Sequence, residues 1–324
     1  ETAFVNDRFS LIEFISTYHL DGFPTENFIE LISTHLESLL DEVYLTSVLA
    51  ILTNIIKNQP HAEIALGFAI ANGDTASFGS FRKELANVYY QSFVSIPAEV
   101  LNNYLPRIYQ QIISVIQETM IPELTAAVQT NLYNSVQDCF IDYAADLNVL
   151  SRLIQLQRES LPPETLQEIW TVLQGFWDCQ YNQERKPMVE ISIHISLAFY
   201  DVMASLCLCT SFDRTLAKEY LGALKSLILL GFFSTFYYRR LLYSVSMILI
   251  RHPEFQDIAQ DLDEIIRIMV EGSVQRNQKV DEFLHHFSYF YVDAEILAPV
   301  ELLGNFPSQL QLKLGGDQNI DETQ

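Results

Sequence analysis

The sequence predicts an all-α fold of stacked antiparallel helix pairs, and three observations predict it. Apolar residues recur at helical spacing along nearly all of the 324 residues. Only 11 Gly and 11 Pro are present, fewer turn residues than a sheet-rich chain needs. Pro, Asn and Asp collect at the joins between the apolar stripes, and a content of 49% hydrophobic and 12% aromatic residues supplies a continuous core.

The stripes follow in order. Phe28, Ile32, Leu36 and Leu39 keep one helix face behind Pro24 and the N-cap candidate Thr25. Leu45, Val48, Leu49, Leu52, Ile55 and Ile56 form the next, stopped by Asn58-Gln59-Pro60. Leu105, Ile108, Tyr109, Ile112 and Ile116 keep the same spacing before Pro122, which reads as a stop. Leu166, Ile169, Trp170, Leu173, Phe176 and Trp177 lie behind Pro162-Pro163, a pair suited to a helix start. Ile258, Leu262, Ile265, Ile266 and Met269 run to Gly272, and Val280, Phe283, Leu284 and Phe287 form the last strong helix. Val189 to Ser196 alternates like a strand, but it continues into Ala198, Phe199, Val202, Met203 and Leu206 at helical spacing. A single strand would have no neighbour to pair with, so the segment is expected to be a buried helix.

These helices couple as 26–41 with 43–58, 61–71 with 77–95, 97–104 with 105–120, and 123–143 with 146–159. Further couples are 163–180 with 187–209, 214–230 with 234–251, and 255–271 with 280–292. Each couple takes roughly 38 residues, close to the ~40–47-residue period of HEAT and armadillo arrays. In that period, in its helix lengths and in the joints Asn58-Gln59-Pro60, Leu161-Pro162-Pro163 and His252-Pro253, the chain resembles the HEAT/armadillo-type α-solenoids. The resemblance is generic and matches no repeat consensus letter by letter. It implies a right-handed α-solenoid of about seven helix pairs. The alternative fold is a globular helical bundle. Residues 1–304 read as a single helical-repeat domain and 305–324 as a loosely ordered C-terminal tail.

Charge narrows the partners. The 41 acidic and 19 basic residues give a formal charge of −22, with the deficit spread along the chain. Such a field repels phosphate backbones and favours basic ligands, so direct nucleic-acid binding is not expected. The same acidity also serves simply to keep a hydrophobic chain in solution. The most apolar run, Ser226–Tyr238, ends at Arg239 and Arg240 and falls short of the ~20 apolar residues a bilayer span needs, so no membrane insertion is expected. Cys139, Cys179, Cys207 and Cys209 sit within apolar helical patterns, and there is no Asn-x-Ser/Thr sequon. Buried free thiols in a reducing compartment, cytoplasmic and/or nuclear, are the expectation. The chain begins with Glu1, not Met, and no leader pattern precedes the first helix. That reads as an internal fragment or a processed chain.

Three constellations bear on function. Asp138, Asp142 and Asp146 stand at i, i+4 and i+8, and Asp257, Asp261 and Glu264 at i, i+4 and i+7. Like charges so spaced repel by a few tenths of a kcal/mol, a cost that Lys or Arg from a partner would relieve and that a solvated face would tolerate. Trp170 and Trp177 are seven apart on one helix. Resemblance to armadillo grooves would make them stacking platforms for an extended basic peptide, while their shared stripe with Leu166 and Leu173 makes them core residues. Glu282 and His285 have the Glu-x-x-His spacing of di-iron bundles, but no second copy accompanies them. The glycines of Asn72–Gly79 fit neither a Walker loop nor a dinucleotide fingerprint, and no catalytic signature is present. No metal and no cofactor is expected.

The sequence therefore predicts a non-enzymatic scaffold or adaptor, part of a larger complex, whose acidic helical surface binds a basic or helical segment of another protein. A narrower version is a nuclear-transport-receptor-like segment. The competing class is an all-α metal-dependent enzyme centred on Glu282 and His285.

Overall fold

The apolar stripes that fall among the described residues fold as helices in the computed structural model, which describes residues 24–35, 42–58, 61–74, 81–130, 137–181 and 193–229. The fold is all-α, with no strand among the described residues. The couples expected beyond residue 230 and the tail at 305–324 lie outside them. By internal packing the chain divides into two units, Glu1–Leu153 and Ile154–Gln324.

The N-terminal unit opens with α1 (Thr25–His35), α2 (Glu42–Asn58), α3 (Ala62–Asn72) and α4 (Arg82–Ser95). Phe28 and Ile32 bury the inner face of α1. Along α2 all six residues of the predicted stripe are buried, and Ile51 joins them, so its apolar face is broad. That breadth matches its packing, since α2 lies against both α3 and α4. Leu66, Phe68, Ala69 and Ile70 bury most of α3. The extended backbone of Ile96 and Pro97 ends α4, and one turn of helix, α5 (Ala98–Leu101), follows.

Beyond α5 the sequence expectation and the structure differ. Pro122 does not end a helix. Instead α6 (Leu105–Val115) passes through a π segment, Ile116–Met120, into α7 (Ile121–Thr130). Proline has no N–H for the carbonyl four residues back, and its ring crowds that carbonyl. The ladder widens by one residue just before Pro122, so that the Ile121 N–H reaches the carbonyl of Ile116, five residues away. A second difference follows. The break expected between the helices 123–143 and 146–159 is absent, since α8 (Gln137–Gln157) is one continuous helix through Asp146, while 123–130 belong to α7. The division between the two units falls within α8.

The C-terminal unit holds α9 (Pro163–Tyr181), α10 (Ile193–Leu206) and α11 (Arg214–Leu229). Pro163 takes the first helical position of α9, where its missing N–H costs nothing. The strand-like alternation resolves as helix from Ile193 onward, and Ala198, Phe199, Val202, Met203 and Leu206 are all buried. Asp213 caps α11, its carboxylate accepting the Leu216 N–H at 2.8 Å. Two joints are tied to each other. Thr210 donates its backbone N–H to the carbonyl of Arg158 at 3.0 Å, and the Ser211 hydroxyl donates to the carbonyl of Leu161 at 2.8 Å.

Candidate functional site

The carboxylate series on α8 is the natural place to look for a binding face, and the structure divides it by depth. Asp142 is half-buried, and Asp146 is 1% exposed. Asp146 faces Arg82, the first residue of α4, itself only 6% exposed. The contact is bidentate: Arg82 Nε donates to one carboxylate oxygen at 3.0 Å and an Nη to the other at 2.9 Å. This fork-to-fork geometry is that of an ionised pair.

The electrostatics follow from depth. Burial works against the charge of Arg82, but the Asp146 carboxylate and its hydrogen bonds outweigh that cost and hold the guanidinium proton more tightly than usual. Burial raises the Asp146 carboxyl above the usual range, against the pull of Arg82. Asp142 is raised as well, first by burial and then by the neighbouring carboxylates of Glu84 and Asp146, with Lys83 and Arg82 opposing. The two aspartates therefore do not form one solvated face. The side chain of Asp138 lies outside the described residues.

A second buried polar link lies in the same unit. The Tyr89 phenol donates to Gln111 Oε1 at 2.6 Å, and Gln111 Nε2 donates to the carbonyl of Ile70 at 2.7 Å. Burial drives the Tyr89 phenol well up, so it stays protonated and acts as a donor. Gly73, at the end of α3, makes this link possible by size alone. A Cβ there would stand 2.7 Å from the phenol oxygen and 2.9 Å from Gln111 Oε1. Nearby on the surface, Arg107 and Asp74 pair at 2.6 Å with both side chains exposed, a contact worth little in water.

In the C-terminal unit Trp170 is a core residue. Its ring meets Tyr220 edge-on, with centroids 6.1 Å apart and planes at 87°, and its indole N–H donates to Glu219 at 2.7 Å. It offers no free stacking platform. The side chain of Trp177 lies outside the described residues, as do Asp257, Asp261, Glu264, Glu282 and His285. Cys207 and Cys209 are buried free thiols. Burial first, then Cys209 alongside, raises the Cys207 thiol well above its usual range, which leaves it a poor nucleophile.

Sequence reasoning found Asp146 but not its partner Arg82, because a lone arginine at a helix start reads as surface. It also passed over the outer face of α4, where Tyr90 is 51% and Val94 is 66% exposed. The signal was present: α4 has apolar residues on the face opposite Leu85, Tyr89 and Phe93, more than one buried stripe needs.

Among the described residues no three His, Cys, Asp or Glu side chains gather as a metal site, and no helix is long and apolar enough to cross a membrane. Chemically, the arrangement holds helices in register from within and leaves carboxylates outside. No family model, no curated protein and no solved structure matches the chain.

Proposed function

We propose that this chain is a non-enzymatic protein-binding scaffold or adaptor, working within a larger complex, whose acidic helical surface receives a basic segment of a partner protein. The observation that carries this reading is where the charge resides. Among the described residues, buried polar side chains engage one another inside the chain, as Arg82 with Asp146 and Tyr89 with Gln111. Exposed carboxylates outnumber exposed lysines and arginines by about two to one among the described residues. That excess supplies long-range attraction for a basic ligand and sets its approach rate more than its final affinity.

The proposed architecture is a right-handed array of HEAT/armadillo type. Its support is the packing among the first four described helices, in which α1 meets α3, α2 meets α3 and α4, and α3 meets α4. Within this set each helix packs on others near it in sequence, as repeats in a stack do.

The test is chemical cross-linking of the tagged chain in cells, followed by mapping of the linked peptides. The expected result is a partner whose linked segment is rich in Lys and Arg and whose retention on the purified chain weakens as salt rises from about 50 to 300 mM. A partner held through an acidic or uncharged segment, with retention indifferent to salt, would overturn the reading.

A further inference from the structure

The buried stripe that runs from α6 through the π segment into α7 has a spacing that no unbroken α-helix can keep on one face. Leu105, Ile108, Ile112, Ile116, Met120 and Leu124 are each 1% exposed or less. From Ile108 onward they follow one another at steps of four. An α-helix turns about 100° per residue, so each such step overshoots a full turn by about 40°. Four steps accumulate about 160°, which would carry Leu124 to the face opposite Ile108. Counted from Ile116, an unbroken helix would turn Glu123 inward, within about 20° of the stripe, and leave Leu124 about 80° away.

The structure shows the reverse. Leu124 is buried, and Glu123 is exposed, where its carboxylate accepts the Tyr143 hydroxyl of α8. The wide turn accounts for the reversal. Its hydrogen bond, from the Ile121 N–H to the Ile116 carbonyl, spans one residue more than the α-helical bond. Absorbing that residue takes back about 100°, so Leu124 comes within about 20° of Ile116 and Glu123 swings about 120° away. Pro122 is exposed and lacks an N–H in either register, so it tolerates the wide turn without deciding which side chains face inward. The apolar steps decide that.

We infer that the π segment is a register adaptor built into the fold. It houses one surplus residue among the exposed Gln117, Glu118 and Thr119, and so aims Met120 and Leu124 at the core and Glu123 at Tyr143. The chain can therefore shed one residue here without turning any buried side chain outward. A regular helix cannot.

The experiment deletes Thr119 from the full chain carrying Pro122→Ala, which spares the shortened helix an internal proline. Pro122→Ala alone is the reference. Shortening converts the wide turn to ordinary α-helix with the same faces inward, so the thermal midpoint, read by circular dichroism, is expected to stay within about 4 °C of the reference. The control deletion removes Asn87, an exposed polar residue in the regular helix α4. It swings Val88, Tyr89 and Phe93, all buried, by about 100° and is expected to lower the midpoint by about 10 °C or more, or to abolish the cooperative transition. Met120→Ala tests the register itself. It is expected to lower the midpoint equally in the shortened chain and in the reference, because Met120 fills the core in both. A Thr119 deletion as damaging as the Asn87 deletion would overturn the adaptor, as would equal tolerance of the two. A Met120→Ala change that is harmless in the shortened chain would overturn it as well, since α7 would then have settled in another register.

Discussion

The two units treat buried polarity in opposite ways. The N-terminal unit sinks a full ion pair, Arg82 with Asp146, and a phenol–amide pair, Tyr89 with Gln111, into its interior. The C-terminal unit keeps its polar contacts nearer its edge. Trp170 reaches outward to the exposed Glu219, and Thr210 and Ser211 join two turns. Among the described residues the core of that unit is otherwise aliphatic, aromatic and sulfur-lined but for Ser205, whose hydroxyl accepts from Gln155 Nε2 at 3.0 Å. Buried charge specifies which helix faces meet but punishes the loss of either partner, whereas peripheral hydrogen bonds can be taken over by water. The first unit should therefore be specific and brittle, the second tolerant.

The largest effect should come from breaking the ion pair one side at a time. Arg82→Met or Asp146→Leu strands a buried charge and is expected to cost about 3–5 kcal/mol in urea-unfolding free energy. The double variant Arg82→Met/Asp146→Leu removes both charges and should recover most of that loss. If the single variants lost no more than surface substitutions do, the pair would not be holding the unit together.

A smaller loss is expected at Gly73. Gly73→Ala places a methyl against the Tyr89 phenol and Gln111, and it should cost about 1–3 kcal/mol through the disrupted buried hydrogen bond. Tyr89→Phe in the Gly73→Ala background would then add less than it does in the unaltered chain, which a double-mutant cycle measures. Independent, additive losses would contradict the contact.

In the tolerant unit the corresponding change should be mild. Trp170→Phe keeps an aromatic ring beside Tyr220 but gives up the bond to Glu219, whose carboxylate water can solvate, and part of the buried ring volume, for a cost of about 2 kcal/mol. A loss as large as that of Arg82→Met would erase the contrast between the units.

The mildest effect is a pH slope. Asp142 is raised by burial and then by Glu84 and Asp146, so the folded chain keeps this proton to higher pH than the unfolded chain does. Its contribution to stability is thus greatest below the ordinary carboxylate value of about 4 and falls as pH rises through the raised value. Asp142→Asn should flatten the decline of urea midpoints above about pH 4 and be no less stable than the unaltered chain at neutral pH. A steeper decline would reverse the assigned sign.

How much of this was legible in the sequence depends on which force decided each feature. The apolar stripes of α2, α9 and α10 were readable because one-sided burial leaves a period in the sequence. Leu45 to Ile56, Leu166 to Leu173 and Phe199 to Leu206 are buried as that period requires. The π segment was not readable, because Pro122 normally ends a helix, whereas here α6 runs on into α7 with Ile116, Met120 and Leu124 buried on either side of it. Among the site candidates, Asp142 and Asp146 were visible as a spacing, but their different depths were not. Depth was set by Arg82, 64 residues away in sequence, and no local pattern encodes so distant a partner. Tyr90 and Val94 were hidden for a different reason. They are apolar residues in a helix, and only burial tells a core stripe from an exposed one.

The central claim is that buried polarity builds the helical framework and recognition belongs to the surface. The most direct test is how well the Arg82→Met/Asp146→Leu double variant retains the partner captured by cross-linking to the unaltered chain. A folded double variant that binds as the unaltered chain does is the predicted result. A folded double variant that no longer binds would contradict the claim and place the buried pair within the recognition site.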